Sequence, residues 1–373
     1  MDSPMVASRI VDSAPGRRYC TENRARETVK KIQIGVLGAT GTVGQKFIRL
    51  LENHPLFSVS ELVASERSAG KKYVEAVAWK QETQIPPDVA RMTVKPLSAG
   101  LNSSLLFSGL DSSVAGDAET IYSAAGHTVL SNSPNHRMDS NVPIIIPEIN
   151  PDHFGLVKHQ RGSGAIITNS NCSTMFLAMV LAPLDRRFGV QAVQATTMQA
   201  ISGAGHPGVA SMDILANVIP YIRNEEEKME EEVAKILGTL SDDHVDVHPM
   251  TISAQCNRVA VFDGHMECVS IKLVESAATD EIKSTLAEFE GLPQERALPT
   301  APKQPIIVME QPDRPQPVRD VWVQNGMSAV VGRIRPCNVL DFKMIVLGHN
   351  PVRGAAGAAI LNAETYHALG YLS

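Results

Sequence analysis

Ile32-Gln33-Ile34-Gly35-Val36-Leu37 runs straight into Gly38-Ala39-Thr40-Gly41-Thr42-Val43-Gly44, and that into Gln45-Lys46-Phe47-Ile48-Arg49-Leu50-Leu51. After a short break comes Val59-Ser60-Glu61-Leu62-Val63-Ala64-Ser65. The first run is short and apolar, as a buried strand requires. Val43, Phe47, Ile48, Leu50 and Leu51 recur at helical spacing, and the last run is a second strand. Strand, glycine turn, helix and strand make the first βαβ unit of a doubly wound parallel sheet.

Glycines 38, 41 and 44 stand where such a sheet receives a nucleotide. Glycine lets the backbone approach a pyrophosphate, and the helix start offers free N–H groups and a positive dipole end. A Walker A loop would end in Gly-Lys-Ser/Thr, which this turn does not. The second strand ends in Ser65-Glu66-Arg67-Ser68. Hydroxyls and a guanidinium suit the 2′-phosphate of NADP; an NAD site uses an acid there, so Glu66 must point away for NADP.

Leu105–Ser108, His127–Ser131 and Val142–Ile146 read as further buried strands. From about Asn169 the pattern changes: Ala192–Ala200, Val259–Val261, Glu267–Val274 and Met327–Arg335 are longer β-rich runs, suited to an antiparallel or mixed sheet. Leu298–Pro317 carries six prolines and reads as mostly loop. Gly354-Ala355-Ala356-Gly357-Ala358-Ala359-Ile360-Leu361 is a small-residue helix able to pack close to a sheet, and returning to the first domain would let it. The expected fold is α/β, a Rossmann-type doubly wound parallel sheet with a second α+β domain. The expected division is 31–168 plus 349–373 for nucleotide binding, and 169–348 for the second domain.

At 373 residues the chain has room for two or three domains by length alone. With 34 Lys+Arg against 40 Asp+Glu, a net charge of -6 argues against a polyanion-binding surface, so no nucleic acid is expected. No apolar run approaches the ~18 residues that span a bilayer, so no membrane partner is expected either. Residues 1–30 lack a signal-peptide apolar region. Their acids weaken a transit-peptide reading despite five arginines, and a disordered extension is expected. Cys20, Cys172, Cys256, Cys268 and Cys337 are odd in number, widely spaced and contain no Cys-x-x-Cys pair. That points to a reducing compartment, the cytoplasm, with neither a disulfide framework nor a metal site.

Cys172 differs from the other four in position. In Ile166-Ile167-Thr168-Asn169-Ser170-Asn171-Cys172-Ser173-Thr174-Met175-Phe176 an extended run gives way to an apolar helix, which Ser170 or Asn171 can cap. A thiol in that first turn sees free N–H groups and the positive dipole end, which should lower its pKa. Gln199 to Gly205 is a second glycine-rich segment, and Gly264-His265 follows an expected strand at Asn257–Val261. A lone histidine is more often structural than catalytic. Glu225-Glu226-Glu227-Lys228 opens a helix with an apolar stripe of Met229, Val233, Ile236 and Leu237; alone, its acids are ordinary dipole partners.

Taken together these segments resemble the aspartate-β-semialdehyde dehydrogenase family, nearer its fungal and archaeal branch. The match is carried by Gly38–Gln45, Ser170–Thr174, Gln199–Gly205, Ile219-Pro220-Tyr221-Ile222 through Lys228, Cys256-Asn257-Arg258-Val259 and Gly264-His265. Arg314–Pro317, Val331–Arg335 and Gly348–Gly354 complete it. It runs from about Lys31 to the C-terminus. Phe107-Ser108-Gly109-Leu110-Asp111 stands where Ser-Ala-Leu-Pro is commoner, and Val318-Arg319-Asp320 where Arg-Leu-Asp is.

The resemblance implies NADP-dependent reduction of L-aspartyl-4-phosphate to L-aspartate-4-semialdehyde, releasing inorganic phosphate, in the biosynthesis of threonine, methionine, isoleucine and, where that route exists, lysine. It implies Cys172 as nucleophile, His265 as acid/base and Gln199 orienting the acyl intermediate. Arg258 would bind the α-carboxylate, Glu225 the α-ammonium, Arg137 and Lys228 the phosphate, with Asn171 beside them. Gly38, Thr40, Gly41, Thr42, Val43, Ser65, Arg67, Ser68, Ser202, Gly203 and Asn350 would line the NADP site. Residues 169–348 would serve catalysis and dimerisation, and the assembly would be a homodimer or homotetramer. The rivals are an N-acetyl-glutamyl-phosphate or malonyl-CoA reductase of the same fold, a cysteine hydrolase or transferase, and a silent NADP sensor.

Overall fold

The computed structural model describes residues 30–98 and 100–372, and Lys31 onward is one compact unit. The extension read over residues 1–30, Cys20 included, lies outside the described residues but for Lys30.

β1 (Ile32–Leu37) is followed by α1 (Thr42–Leu50) and β2 (Phe57–Ala64), as the glycine turn requires. One-turn helices α2 (Tyr73–Ala76) and α3 (Pro87–Ala90) lead to the short edge strand β3 (Lys95–Pro96). β4 (Leu105–Ser108), α4 (Ser112–Ala124), β5 (Thr128–Ser131) and β6 (Ala165–Thr168) complete a parallel sheet of order β3-β2-β1-β4-β5-β6. β1 and β4 are central, and Ile34, Val36, Leu37, Leu105, Leu106 and Phe107 are fully buried, as a sheet covered on both faces demands.

Val142–Ile146, expected as a strand, is not one. Pro143 lacks a ladder N–H, and only Ile144 makes an isolated bridge, to Thr168. The Asn150 side chain occupies the neighbouring backbone groups, accepting from Ile146 N–H and donating to Ile144 O.

α5 (Cys172–Phe188) then leads into β7 (Val190–Gln199). The one-turn helix α6 (Ser211–Ile214), α7 (Glu225–Ile236) and a two-stranded sheet of β8 (Thr239–Leu240) and β9 (Val245–Asp246) precede β10 (Thr251–Arg258) and β11 (His265–Leu273). After α8 (Thr279–Ala287) and α9 (Leu292–Glu295) come β12 (Ile306–Met309), α10 (Pro317–Asp320), β13 (Ala329–Pro336) and β14 (Phe342–Gly348). The second sheet is mixed, with order β10-β7-β11-β14-β13-β12. One face buries its residues against α5 and α8; on the other, Gln194, Cys268 and Lys272 are exposed.

One expectation here needs correcting. Val259–Val261 is not strand: β10 ends at Arg258, and Val261 N–H bonds back to Val259 O in a tight turn. The proline-rich stretch is mostly loop, as expected; within it proline-free Ile306–Met309 pairs with Ala329–Gly332 at the sheet edge, where flanking prolines are tolerated.

The chain ends in one π-helical turn, Val352–Ala356, and α11 (Gly357–Ala368). Ala356, Ala359, Ile360, Ala363 and Tyr366 share a buried cluster with Ile34, Phe107, Leu130 and Ile167 of the parallel sheet, so the last helix packs on the first core.

Candidate active site

A cavity of about 530 Å³ opens between the glycine turn, the start of α5 and the ends of β7 and β10. Its wall brings together Thr42, Val43, Arg137, Asn171, Cys172, Gln199, Ser202, Gly203, Glu225, Lys228, Arg258 and Asn350, out of those proposed from sequence. Gly38, Thr40, Gly41, Ser65, Arg67, Ser68 and His265 do not line it.

Cys172 is the first residue of α5. Asn171, not Ser170, is the N-cap, its Oδ1 accepting from Ser173 N–H at 2.9 Å and Thr174 N–H at 3.2 Å. Two of the free donors expected to face the sulfur are thus spent on the cap. Burial and the nearby Glu225 carboxylate push the thiol up to about 12, against the pull of Arg258 and Arg137. The expected lowering is therefore reversed in the free chain, because loss of hydration outweighs what the helix end supplies. Gly354 is required behind Cys172, since a Cβ there would lie 2.8 Å from that of Cys172.

Register builds the substrate side. Arg258 at the end of β10 pairs with Gln199 at the end of β7, and His265 starts the neighbouring β11. Gln199 Nε2 and Asn171 Nδ2 both donate to Glu225, and Lys228 Nζ meets the same carboxylate at 2.9 Å. Burial alone would raise Glu225, but the Lys228 charge and these bonds hold it below the usual carboxylate range. Arg258 donates from Nη1 to Ala200 O at 2.8 Å.

His265 is fully buried. Its Nδ1 accepts from Ala200 N–H at 3.1 Å, which leaves the ring proton on Nε2, an atom with no partner among the described residues. Burial and the Arg258 charge lower it to about 3. Gly203, which does line the cavity, lies against this ring: a Cβ there would come within 3.0 Å of Cε1 and Nε2.

On the nucleotide side Gly41 caps α1 with no side-chain bond, which keeps the helix-start N–H groups available. Gly38 has φ +74, and a Cβ on Gly44 would sit 2.3 Å from Gly38 O, so only glycine allows helix and turn to nest. The turn thus fits a pyrophosphate. Asn350 donates to Ser202 Oγ at 2.9 Å and accepts from Gly264 N–H at 3.0 Å. Ser65, Glu66 and Arg67 are exposed at the tip of β2, next to the central strand.

Sequence reasoning missed Lys46, Asp263 and Asn132, which line the cavity, and Glu232 and Lys235, which stand behind it. Lys46 lies one helical turn beyond Thr42, and Glu232 two turns beyond Glu225, so helical spacing could have found both.

The semialdehyde dehydrogenase NAD binding domain profile matches residues 33–156, and that family's dimerisation domain profile matches residues 181–353. An aspartate-semialdehyde dehydrogenase of Candida albicans is 46% identical over 358 residues, covering 90% of this chain and 98% of the relative. One from Archaeoglobus fulgidus is 45% identical over 339 residues, covering 90% and 97%. A crystal structure of aspartate semialdehyde dehydrogenase with NADP from Candida albicans superposes with a TM-score of 0.84 at 44% identity, covering 91% of this chain and 99% of that one. With both profiles matched and relatives about 45% identical over nine-tenths of its length, the chain belongs to the aspartate-semialdehyde dehydrogenase family.

Proposed function

We propose that the chain interconverts L-aspartyl-4-phosphate and L-aspartate-4-semialdehyde, with NADP as cofactor, through a thioester on Cys172, in the biosynthesis of aspartate-family amino acids. One observation carries the reading: a thiol, two arginines and a carboxylate–ammonium pair share a cavity with an uncapped glycine turn. The substrate offers an α-carboxylate, an α-ammonium and an acyl phosphate, and each meets opposite charge in Arg258, Glu225 and the pair Arg137 and Lys228.

When bound, NADP supplies or accepts a hydride at the acyl carbon. The start of α1 with Gly38, Thr40, Gly41, Thr42 and Val43 would hold its pyrophosphate, and Ser65, Arg67 and Ser68 its 2′-phosphate. Ser202, Gly203 and Asn350 would close the other end.

The chain's own residues do the rest. Cys172 sulfur attacks the acyl carbon, the carbon–oxygen bond to phosphate breaks while Arg137 and Lys228 neutralise the leaving group, and the thiol proton leaves with the phosphate. The substrate ammonium, by pairing with Glu225, removes one of the charges that hold the thiol protonated. Gln199 orients the acyl group, and neutral His265, carrying its proton on Nε2, suits hydrogen-bond donation to the developing oxyanion. Breaking the carbon–sulfur bond then frees the aldehyde and the thiolate, which regains its proton.

NADP reduction by aspartate semialdehyde, measured with and without inorganic phosphate, tests this. Turnover should require phosphate and vanish in Cys172→Ser while nucleotide binding persists. Full turnover in that variant, or a requirement for coenzyme A in place of phosphate, refutes it. Glu225 disfavours an N-acetylated substrate, whose amine carries no charge to pair.

The same reading assigns residues 31–168 with 349–373 to nucleotide binding and 169–348 to catalysis and dimerisation, supported by the packing of α11 on the first core. It takes the assembly as a homodimer or homotetramer built through the mixed sheet. No described helix is long and apolar enough to cross a membrane. Four free cysteines among the described residues support a cytoplasmic setting.

A further inference from the structure

Helix α7 aligns Glu225, Lys228, Glu232 and Lys235 along one stripe. The first two belong to the site described above; the other two reach past it. Glu232 is 2% exposed and uses both oxygens. Oε1 accepts from Arg137 Nη1 at 2.9 Å, and Oε2 from the Asn171 backbone N–H at 2.6 Å. One carboxylate therefore joins the guanidinium to the residue just before the nucleophile. Arg137 Nη2 is fixed on Asn132 O at 2.9 Å, so two acceptors set the angle of the fork and leave its other N–H groups for an anion. One turn on, Lys235 Nζ donates to the carbonyls of Arg137, Asp139 and Val142 at 2.7, 2.7 and 2.8 Å, gathering the loop that presents Arg137.

We propose that Glu232 is a positioning residue for the phosphate-handling half of the reaction, with Lys235 fastening the arm it steers. This rests on Arg137 as a phosphate ligand. Glu232 fixes the distance between the anion-binding arm and the Cys172 sulfur, and it touches neither hydride transfer nor the α-carboxylate site.

The half-reactions separate in the oxidative direction. Cys172 sulfur first adds to the aldehyde carbon and hydride leaves for the bound nucleotide, giving the thioester. A phosphate oxygen then attacks the thioester carbon, and the carbon–sulfur bond breaks with the thiolate leaving. In Glu232→Gln the first turnover of nucleotide reduction stays close to the parent's, while KM for inorganic phosphate rises about 10- to 100-fold, the worth of one charge-assisted bond.

Without any nucleotide, phosphate should protect Cys172 from iodoacetamide, read by mass spectrometry on its peptide. In Glu232→Gln that protection shifts to correspondingly higher phosphate. Glu232→Asp, which keeps the charge and shortens its reach, gives an intermediate rise and carries the test if the amide variant does not fold. Unchanged phosphate KM and protection overturn the proposal, as does a parallel loss of semialdehyde KM, first turnover and thermal stability. Arg137→Ala separates the two claims: if it leaves phosphate KM alone, the ligand reading fails. If it raises phosphate KM and the Glu232 variants do not, positioning alone fails.

Discussion

Among single residues, His265 shows how burial overrides a reading from sequence. As a lone histidine before a strand it gave no sign of being sealed, yet its only hydrogen-bond partner among the described residues is a backbone N–H, and its ring stays neutral down to about 3. His349, also fully buried and edge-on to Trp322 with ring centroids 4.1 Å apart, is likewise lowered to about 3. The unfolded chain protonates such rings near pH 6.5 and the folded chain does not, so stability is complete above that pH and falls as pH drops from about 6.5 toward 3. At pH 5 each ring should withdraw about 2 kcal/mol, and urea unfolding of His349→Phe should show a flatter acid limb than the parent. A parallel acid limb in that variant would remove the ring from the account. The place of Cys172 at a strand-to-helix junction was legible because it is local information. The direction of its pKa was not, since desolvation is set by segments distant in sequence. Gly354 belongs to that distant layer: Gly354→Ala should displace the Cys172 side chain and lower kcat by about tenfold or more with nucleotide affinity kept, a split that steady-state kinetics and nucleotide titration would read.

Elements were legible where periodicity and turn chemistry agreed. β1, α1 and β2 follow from alternation, glycine punctuation and helical spacing, all local. Gly44→Ala would force α1 off the turn, since the added Cβ meets Gly38 O at 2.3 Å. Nucleotide affinity should fall by about tenfold or more while Cys172 keeps its rate of alkylation, and equal nucleotide binding in a titration would count against nesting at this glycine. Val142–Ile146 was misread as a strand, and the strand Ile306–Met309 was not singled out within a stretch read as mostly loop, for one reason. The first is apolar enough for a strand, but Pro143 and the Asn150 side chain claim its backbone; the second sits among prolines, but its own four N–H groups are free to pair. Backbone bookkeeping, not hydrophobicity, decided both. α7 sits between these cases. Its apolar stripe and acidic start were evident, yet a polar stripe on the same helix serves the site, because Glu225, Glu232 and Lys235 are buried with partners on other elements.

Across the whole molecule, the return of the C-terminal helix to the first core could be anticipated from its small residues alone. Their fit is visible in the fully buried Ala356, Ala359 and Ala363. What the sequence hides is which sheet face lacks a cover, since a strand alternating buried and exposed residues reads the same whether its outer side meets water or a second chain. In β11, His265, Glu267, Val269, Ile271 and Leu273 point into the core, while Cys268 and Lys272 are exposed on the opposite face; Gln194 of β7 shares that exposure. No helix named above packs its core there, and the dimerisation profile spans all six strands. If the face is the self-interface, a charge at its middle strand is buried once in each copy. Cys268→Arg should then shift sedimentation equilibrium toward monomers, because an unpaired charge desolvated at such a contact costs several kcal/mol. Arg258, Glu225, Arg137 and Lys228 line one cavity of a single chain, so on the proposed reading the monomeric variant should still bind phosphate at Arg137. A Cys268→Arg protein that keeps the parent's mass at low micromolar concentration would move the interface to another face.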